Sequence, residues 1–565
     1  MQIDWDVPIP MEDGTLLRAD VFRPDGAGLY PVIMTHGVYG KGLPIERFRQ
    51  RLLAQRERHP LLKQDDLTGA DLADAMTGGS GDDIASDDYR VWEVVDPLHW
   101  VPAGYVCVRV DSRGSGRSPG RLDPLSPQEI RDYAACIEWA GTQPWSNGKV
   151  GLCGKSYYAM SQWLVAALKP PHLAAICVWH GWSDWYRDAT RHGGILYRFW
   201  ENFWYPELAL PVQNGADAGV NPHNGLAIAG ACLDVETLVA NRADIVEDIR
   251  THPFDDDHYY GVRTPDLKAV DVPLLASADW SDHDLHLAGT IRGYLECASR
   301  EKRLEIHAGG QFDDAPFVAF QQRFFDHYLK GEGDWLSQPP VQLAVRQADG
   351  GSRIAVADGW PIPDTRWTKL HLDAAGLRLA DRPPMRRAEA SFEAGGDGLV
   401  FETAPFNEDI LVAGPIAATL QLSSDTADAD LFLVLDAVDA EGKRVELRDH
   451  RGGLTSMTVG WQRASHRALE PKRSTIGAPW PSHRHAEPLV PGQIYEVHVA
   501  LRPGCLYLPA GHRLQLTVRG NGPGHDDPVD RPAALFDNEV KLHTGLDAPA
   551  TLMLPVVPPS VLRYL

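Results

Sequence analysis

The sequence predicts an α/β chain with a mostly parallel sheet, continued by an antiparallel β-sandwich. Three observations carry this. Short apolar runs in the first half alternate with helical patterns, as right-handed crossovers and a sheet covered on both faces require. From about residue 340 the pattern changes to brief alternating segments separated by Gly, Pro and Asp turns, which reads as a sandwich. The length of 565 residues exceeds one ordinary core, since cores stop growing near ~250–300 residues.

In chain order, YPVIMTHG, GYVCVRVDSRG, KVGLCG, LAAICVWH and VPLLASADW read as buried strands. SPQEIRDYAACIEWAGTQ and SYYAMSQWLVAALK read as helices between them. Two segments interrupt the alternation. Residues 44 to 90 are polar, with TGGSGDD as a loop, and residues 183 to 262 are aromatic-rich and helix-leaning, a cap over the active edge of the sheet. The first unit therefore spans 1–182 and 263–338, with 183–262 as cap and 339–565 as sandwich. The sandwich segments are VQLAVRQ, KLHLDA, IAATLQLSS, LFLVLDAVD, IYEVHVALR and HRLQLTVRG.

A net charge of −23, with no Lys/Arg cluster, argues against nucleic acid or an anionic membrane as partner. The opening MQIDWDVPIPMEDGT is not a signal peptide and no run approaches ~18 apolar residues, so a cytoplasmic location is expected. Seven scattered cysteines without a CxxC read as reduced core thiols, not as disulfides or zinc ligands. No motif implies a cofactor. DSRGSGRSPG lacks the ending of a P-loop and reads as a turn bracing the sheet edge, with Asp111 and Arg113 paired. HPFDDDHYYG reads as structural, not as a metal site, and SHRHAEP, with His483 and His485, as a solvated loop.

The chemistry centres on GKVGLCGKSYYAMSQW. A serine hydroxyl attacks carbonyls once a base removes its proton, and a tight turn between strand and helix exposes it to base and substrate together. Ser156 stands at such a turn, although Tyr158 replaces the second glycine of GxSxG; a helix-capping serine is the alternative. In α/β-hydrolases the acid and base follow in the order Ser, Asp, His. VPLLASADWSDHDLH offers Asp279, Asp282 and Asp284 at a later strand end, and KRLEIHAGG offers His307 after the next.

These stretches, with IPMEDGTLLRADVFRP, VYGKG, WEVVDPLHWVPAGYVCVRVDSRGSGRSPG and FFDHYLKG, resemble the acyl-esterase family of cocaine esterase, α-amino acid ester hydrolase and X-prolyl dipeptidyl peptidase. The similarity runs through most of the chain. It implies an α/β-hydrolase domain with a helical cap and a C-terminal jelly roll, and a serine hydrolase acting through an acyl-enzyme without a cofactor. By resemblance, Ser156 is the nucleophile, the Tyr157 N–H and the Tyr39 hydroxyl form the oxyanion hole, Asp282 is the acid, and Ala159 fills the family's small position. The family's G-P-W-x-H is absent, and Gln311 stands where its histidine falls. His307 is the expected base, with His286 and His283 as local alternatives. A small ester or amide is the expected substrate, with an X-Pro dipeptidyl-peptidase-like activity or a degenerate binding role as rivals, and a homo-oligomer is open.

Overall fold

The computed structural model describes residues 1–56, 87–310, 312, 314–449 and 452–565, so the TGGSGDD loop and Gln311 lie outside the described residues. An 11-stranded sheet dominates the first half. Its strands are β1 (Gln2–Pro10), β2 (Leu16–Arg23), β3 (Tyr30–Gly37), β4 (Val106–Asp111), β5 (Ser146–Lys155) and β6 (Leu173–Trp179). After a short cap hairpin, β7 (Arg191–His192) and β8 (Ile195–Leu196), come β9 (Leu274–Asp279), β10 (Lys302–His307), β11 (Val341–Arg346) and β12 (Ser352–Ala357). The order is β1-β2-β4-β3-β5-β6-β9-β10-β11-β12-β26, where β26 (Arg563–Tyr564) is the C-terminal strand. From β4 to β11 all pairs are parallel, and the flanking pairs are antiparallel.

Side-chain alternation explains the double cover. Val32 and Met34, Leu152, Ile176 and Val178, and Leu274 point into one core, whereas Ile33, Cys153, Cys177 and Leu275 point into another. Neither face reaches water, which is why these strands read as continuous apolar runs. The helix Pro127–Gly141 starts where Ser126 accepts a hydrogen bond from the Glu129 N–H and Pro127 occupies the first turn. The helix Tyr157–Ala167, buried along nearly its whole length, packs on the same face.

VQLAVRQ does not open the sandwich. Its residues form β11, parallel to β10 in the large sheet, and β26 returns to the same sheet through β12. The remaining strands are β13 (Arg366–Asp373), β14 (Arg378–Ala380), β15 (Ala388–Glu393), β16 (Leu399–Thr403), β17 (Ile410–Ser424), β18 (Asp430–Val438), β19 (Leu447–Arg448), β20 (Leu454–Thr455), β21 (Thr458–Arg463), β22 (Tyr495–Leu508), β23 (Arg513–Arg519), β24 (Glu539–Thr544) and β25 (Thr551–Val556). They are almost entirely antiparallel, but they do not separate into the two sheets of a sandwich or jelly roll. Backbone pairing closes a ring β17-β22-β21-β18-β23-β16-β14-β13-β25 back onto β17. The cause is β17, which pairs with β22 along one edge and divides its other edge between β25 and β24. A separate Leu/Val-rich core fills the ring.

Two smaller expectations change. Asp111 does not pair with Arg113; it accepts from the Lys41 and Arg117 backbone N–H groups, while Arg113 binds Asp132 and Asp13. His483 is buried against His466, whereas His485 is exposed. In HPFDDDHYYG, Asp255 pairs with Arg187 at 2.7 Å. Among the described residues no helix is long and apolar enough to cross a membrane. All seven cysteines are free thiols, and only Cys232 is exposed.

Candidate active site

Ser156 sits between β5 and the helix Tyr157–Ala167 with φ 57° and ψ −118°, a conformation that costs a non-glycine residue ~1–3 kcal/mol. It occupies the helix N-cap position, yet its side chain caps nothing. That disposes of the capping alternative. The turn is tight enough to dictate its neighbours: a Cβ on Gly154 would lie 2.5 Å from Tyr158 Cβ, and one on Gly181 would lie 2.8 Å from Ala159 Cβ. Tyr158 is accommodated because the residues facing it and Ala159 are themselves glycines, Gly154 against Tyr158 and Gly181 against Ala159.

The Ser156 Oγ lies 3.1 Å from His286 Nε2, and His286 Nδ1 lies 2.5 Å from Asp282 Oδ2. Both partners come from the single loop after β9, four residues apart, and His286 stands at the entrance of the helix Leu287–Glu296. One turn of chain therefore supplies both side chains. Trp182 stacks on the His286 ring at 5.2 Å, and Arg502 of the β-domain donates 2.9 Å to the His283 carbonyl, bracing the loop from outside. Asp279 is not the partner of the histidine: its buried carboxylate accepts from the Ser281 N–H at 2.7 Å and the Gly309 N–H at 2.6 Å. Asp284 is exposed at the pocket.

His307, the expected base, does not meet Ser156. Its Nδ1 is 2.8 Å from Glu305 Oε2 and its Nε2 is 2.9 Å from His180 Nε2. Strand parity is the reason: Leu304 and Ile306 face the core that packs the nucleophile helix, so Glu305 and His307 turn to the opposite face, where Trp179 and Phe317 cover His307. His283 also points elsewhere, with Nε2 3.3 Å from the Ser456 carbonyl, and burial pushes it down to about 4. The signal for His286 was its one-turn spacing from Asp282 at a helix start.

Tyr39 follows β3. Its hydroxyl accepts from Trp204 Nε1 at 2.8 Å and lines the cavity with Ser156. Burial raises this phenol well above its ordinary value, so it stays protonated and able to donate. Tyr157 opens the helix, so its N–H belongs to the first turn that the helical ladder leaves unused. A feature missed in the sequence holds Tyr157 in place: its hydroxyl donates to Glu129 Oε2 at 2.6 Å, and Leu125 N–H donates to the same oxygen at 2.5 Å. Burial pushes Glu129 up to about 7 against those donors.

A cavity of about 160 Å³ opens onto Ser156, walled by Trp92, Phe199, Phe203, Trp204 and Leu208. The cap segment Trp200–Ala209 delivers Phe203, Trp204 and Leu208, so the cap aromatics are divided: Trp204 faces the cavity while Trp185 and Tyr186 pack. Glu93 also lines it, with a left-handed φ of 62°, a backbone carbonyl that accepts from the Lys155 N–H at 3.1 Å, and a buried Oε2 without a hydrogen-bond partner among the described residues. Burial pushes its carboxyl up to about 8, opposed by Lys155 and aided by Asp282. Among the described residues, the side chains of metal-binding type that converge are His180, Asp282 and His286, which the hydrogen bonds of the site already engage.

The arrangement can take a proton from Ser156, hold the resulting imidazolium against a carboxylate, and meet an oxyanion with two donors. Family models match twice: the X-Pro dipeptidyl-peptidase (S15 family) over residues 13–310, and the X-Pro dipeptidyl-peptidase C-terminal non-catalytic domain over 334–542. The chain is similar to cocaine esterase from Rhodococcus sp., 22% identical over 98% of each chain. Among solved structures it is similar to a CocE/NonD family hydrolase from Staphylococcus aureus, with TM-score 0.82, 29% identity and coverage of 98% and 94% of the two chains. An aminopeptidase from a marine sediment archaeon, Thaumarchaeota archaeon, shares the fold, with TM-score 0.68, 18% identity and coverage of 99% and 96%.

Proposed function

Because the chain belongs to the X-Pro dipeptidyl-peptidase S15 family and is a serine hydrolase of ester or amide bonds, we propose that it cleaves small carboxylic esters, with Ser156, His286 and Asp282 as its triad. The observation that carries this reading is the unbroken path Ser156 Oγ to His286 Nε2 to Asp282 Oδ2. His286 takes the Ser156 proton as Oγ attacks the carbonyl, and the alkoxide charge develops toward the Tyr39 hydroxyl and the Tyr157 N–H. The imidazolium then protonates the leaving oxygen. In the second half His286 deprotonates water, which releases the acid from Ser156.

Ester is preferred to peptide because the cavity is small and its cap-side wall, Phe199, Phe203, Trp204 and Leu208, is apolar, which suits a compact acyl group. His286 also supplies the imidazole whose absence from the usual place motivates a binding-protein reading. A small-molecule substrate goes with the size of the cavity, and a cytoplasmic location with the seven free thiols. The test is a panel of p-nitrophenyl acyl esters and X-Pro anilides, assayed with the native chain and with Ser156→Ala. Short-chain esters should turn over and the variant should lose at least ~10³-fold. Cleavage of the anilides alone would transfer the chain to peptidases, and equal rates for both proteins would remove Ser156 from the chemistry.

A further inference from the structure

Behind Asp282 lies a file of buried polar groups that acyl transfer by the triad leaves unused. His180 follows β6 with a left-handed φ of 51°, and its backbone N–H donates to the Ser277 carbonyl at 2.8 Å, which holds the main chain there. Its Nδ1 is 3.4 Å from Asp282 Oδ2, the oxygen that also meets His286. Its Nε2 is 2.9 Å from His307 Nε2. His307 Nδ1 in turn is 2.8 Å from Glu305 Oε2, which accepts from the Ser277 hydroxyl as well. The His180 and His307 rings are nearly parallel, with 21° between their planes, and Trp179 covers the second at 5.5 Å.

Hydrogen placement along this file has few solutions. Two imidazole nitrogens at 2.9 Å form a bond only if one of them carries a hydrogen. Glu305 as a carboxylate is an acceptor, so His307 Nδ1 carries one. If His307 is neutral, its Nε2 is a lone pair, His180 must donate from Nε2, and the bare Nδ1 of His180 then faces the Asp282 carboxylate. If His307 is the imidazolium, it donates to His180 Nε2, and His180 is left as the Nδ1–H tautomer, which donates to Asp282. Of these two only the second satisfies every group; an imidazolium on His180 would do so as well, but Glu305 at 2.8 Å and Asp279 at 3.7 Å place the charge on His307, while burial disfavours it on His180.

We propose that His180, His307 and Glu305 are positioning residues for the reaction: the His307 imidazolium, neutralised by Glu305, fixes the His180 tautomer that gives Asp282 a second hydrogen bond beside the one from His286. This rests on Asp282 being the triad acid. The charges around the file agree. His307 faces Glu305 on its own strand, Asp279 at the end of β9 with 3.7 Å between Nε2 and Oδ2, Lys155 at the end of β5, and His180. Burial opposes its charge, but the two carboxylates outweigh burial and Lys155 and raise it above the ordinary histidine value. His180 faces Asp282, Lys155 and His307, and burial drives it far below that value, which keeps it neutral. Glu93 and Lys155 stand on the cavity side of the group. The 3.4 Å separation suits a site without substrate, since such bonds tighten as charge develops.

Loss of the His307 proton at alkaline pH switches the file to its unsatisfied arrangement. The pH profile of kcat should therefore fall on its alkaline side through an ionisation that belongs to His307. In His307→Gln that ionisation disappears and the plateau of kcat drops ten- to a hundred-fold, the factor associated with one hydrogen bond to a charged group, while KM holds. His180→Phe should show the same loss. His180→Asn, whose amide can donate to Asp282 without help from His307, should recover most of kcat and also lack the alkaline limb. If His307→Gln does not fold, ¹⁵N-histidine spectra of the native full chain at neutral pH decide: one imidazole protonated on both nitrogens and one neutral Nδ1–H tautomer support the file, and a neutral His307 overturns it. An unchanged alkaline limb in His307→Gln likewise overturns it. Organophosphonate labelling of Ser156 in the same variants separates this failure from failure of the triad, because a wrong file leaves native labelling intact.

Discussion

Replacing Tyr39 with Phe removes one oxygen from the site and little else. The ring keeps its contacts with Trp92 at 4.9 Å, Tyr158 at 5.4 Å and Tyr157 at 5.9 Å, so the cavity wall survives. Two interactions are lost. The developing oxyanion keeps only the Tyr157 N–H, and loss of one such donor costs about 10²–10³ in kcat, or ~2.7–4 kcal/mol. The buried Trp204 Nε1, which donates to the same hydroxyl at 2.8 Å, is left unpaired at a cost of ~1–3 kcal/mol in stability. Steady-state hydrolysis of a p-nitrophenyl ester should therefore show kcat down by two to three orders of magnitude, with KM changed by less than about threefold, because a donor aimed at the oxyanion acts mainly in the transition state. Calorimetry should show a lower Tm. A kcat within about threefold of native would refute Tyr39 as an oxyanion donor, whatever happens to Tm.

Three further outcomes follow from the geometry. His286→Gln should lower kcat by ~10⁴-fold or more, far beyond the loss in His307→Gln, and similar losses in the two would mean that the base is misassigned. Glu93→Gln should show a Tm advantage over native that grows with pH. The folded chain holds the Glu93 proton to about 8, whereas the unfolded chain releases it near ~4.3, so native stability falls between those values and glutamine abolishes the fall; a Tm difference independent of pH would contradict this. Gly154→Ala places a methyl 2.5 Å from Tyr158 Cβ, which should cost ~1–3 kcal/mol in thermal unfolding and displace the nucleophile, and native activity and Tm together would count against the turn as described.

The strand-turn-helix around Ser156 was legible because buried strands, glycine and a helix start are local signals. Asp282, the proposed acid, was legible for the same reason, lying just past the end of the apolar run LLASAD. The base was not. His286 and His307 both follow the acid strand, and only the facing of β10 separates them: the alternation Leu304, Glu305, Ile306, His307 sends His307 to the wrong side of the sheet. That parity was present in the sequence, but which face held the nucleophile helix was a tertiary fact. The β-domain shows the same limit. Five of its strands, β13, β17, β18, β22 and β23, read from period-two patterns, while the pairing of β17 with three neighbours, which closes the ring, depends on contacts distant in sequence. VQLAVRQ looked like a sandwich strand for want of any local mark distinguishing a last parallel strand.

The decisive measurement is the rate at which an organophosphonate attaches to the chain, followed by intact mass and peptide mapping. One adduct per chain should appear on the peptide bearing Ser156, slowed at least ~10³-fold by His286→Gln and far less by His307→Gln. No adduct on folded protein, or an equal rate after loss of the His286 imidazole, would contradict the account.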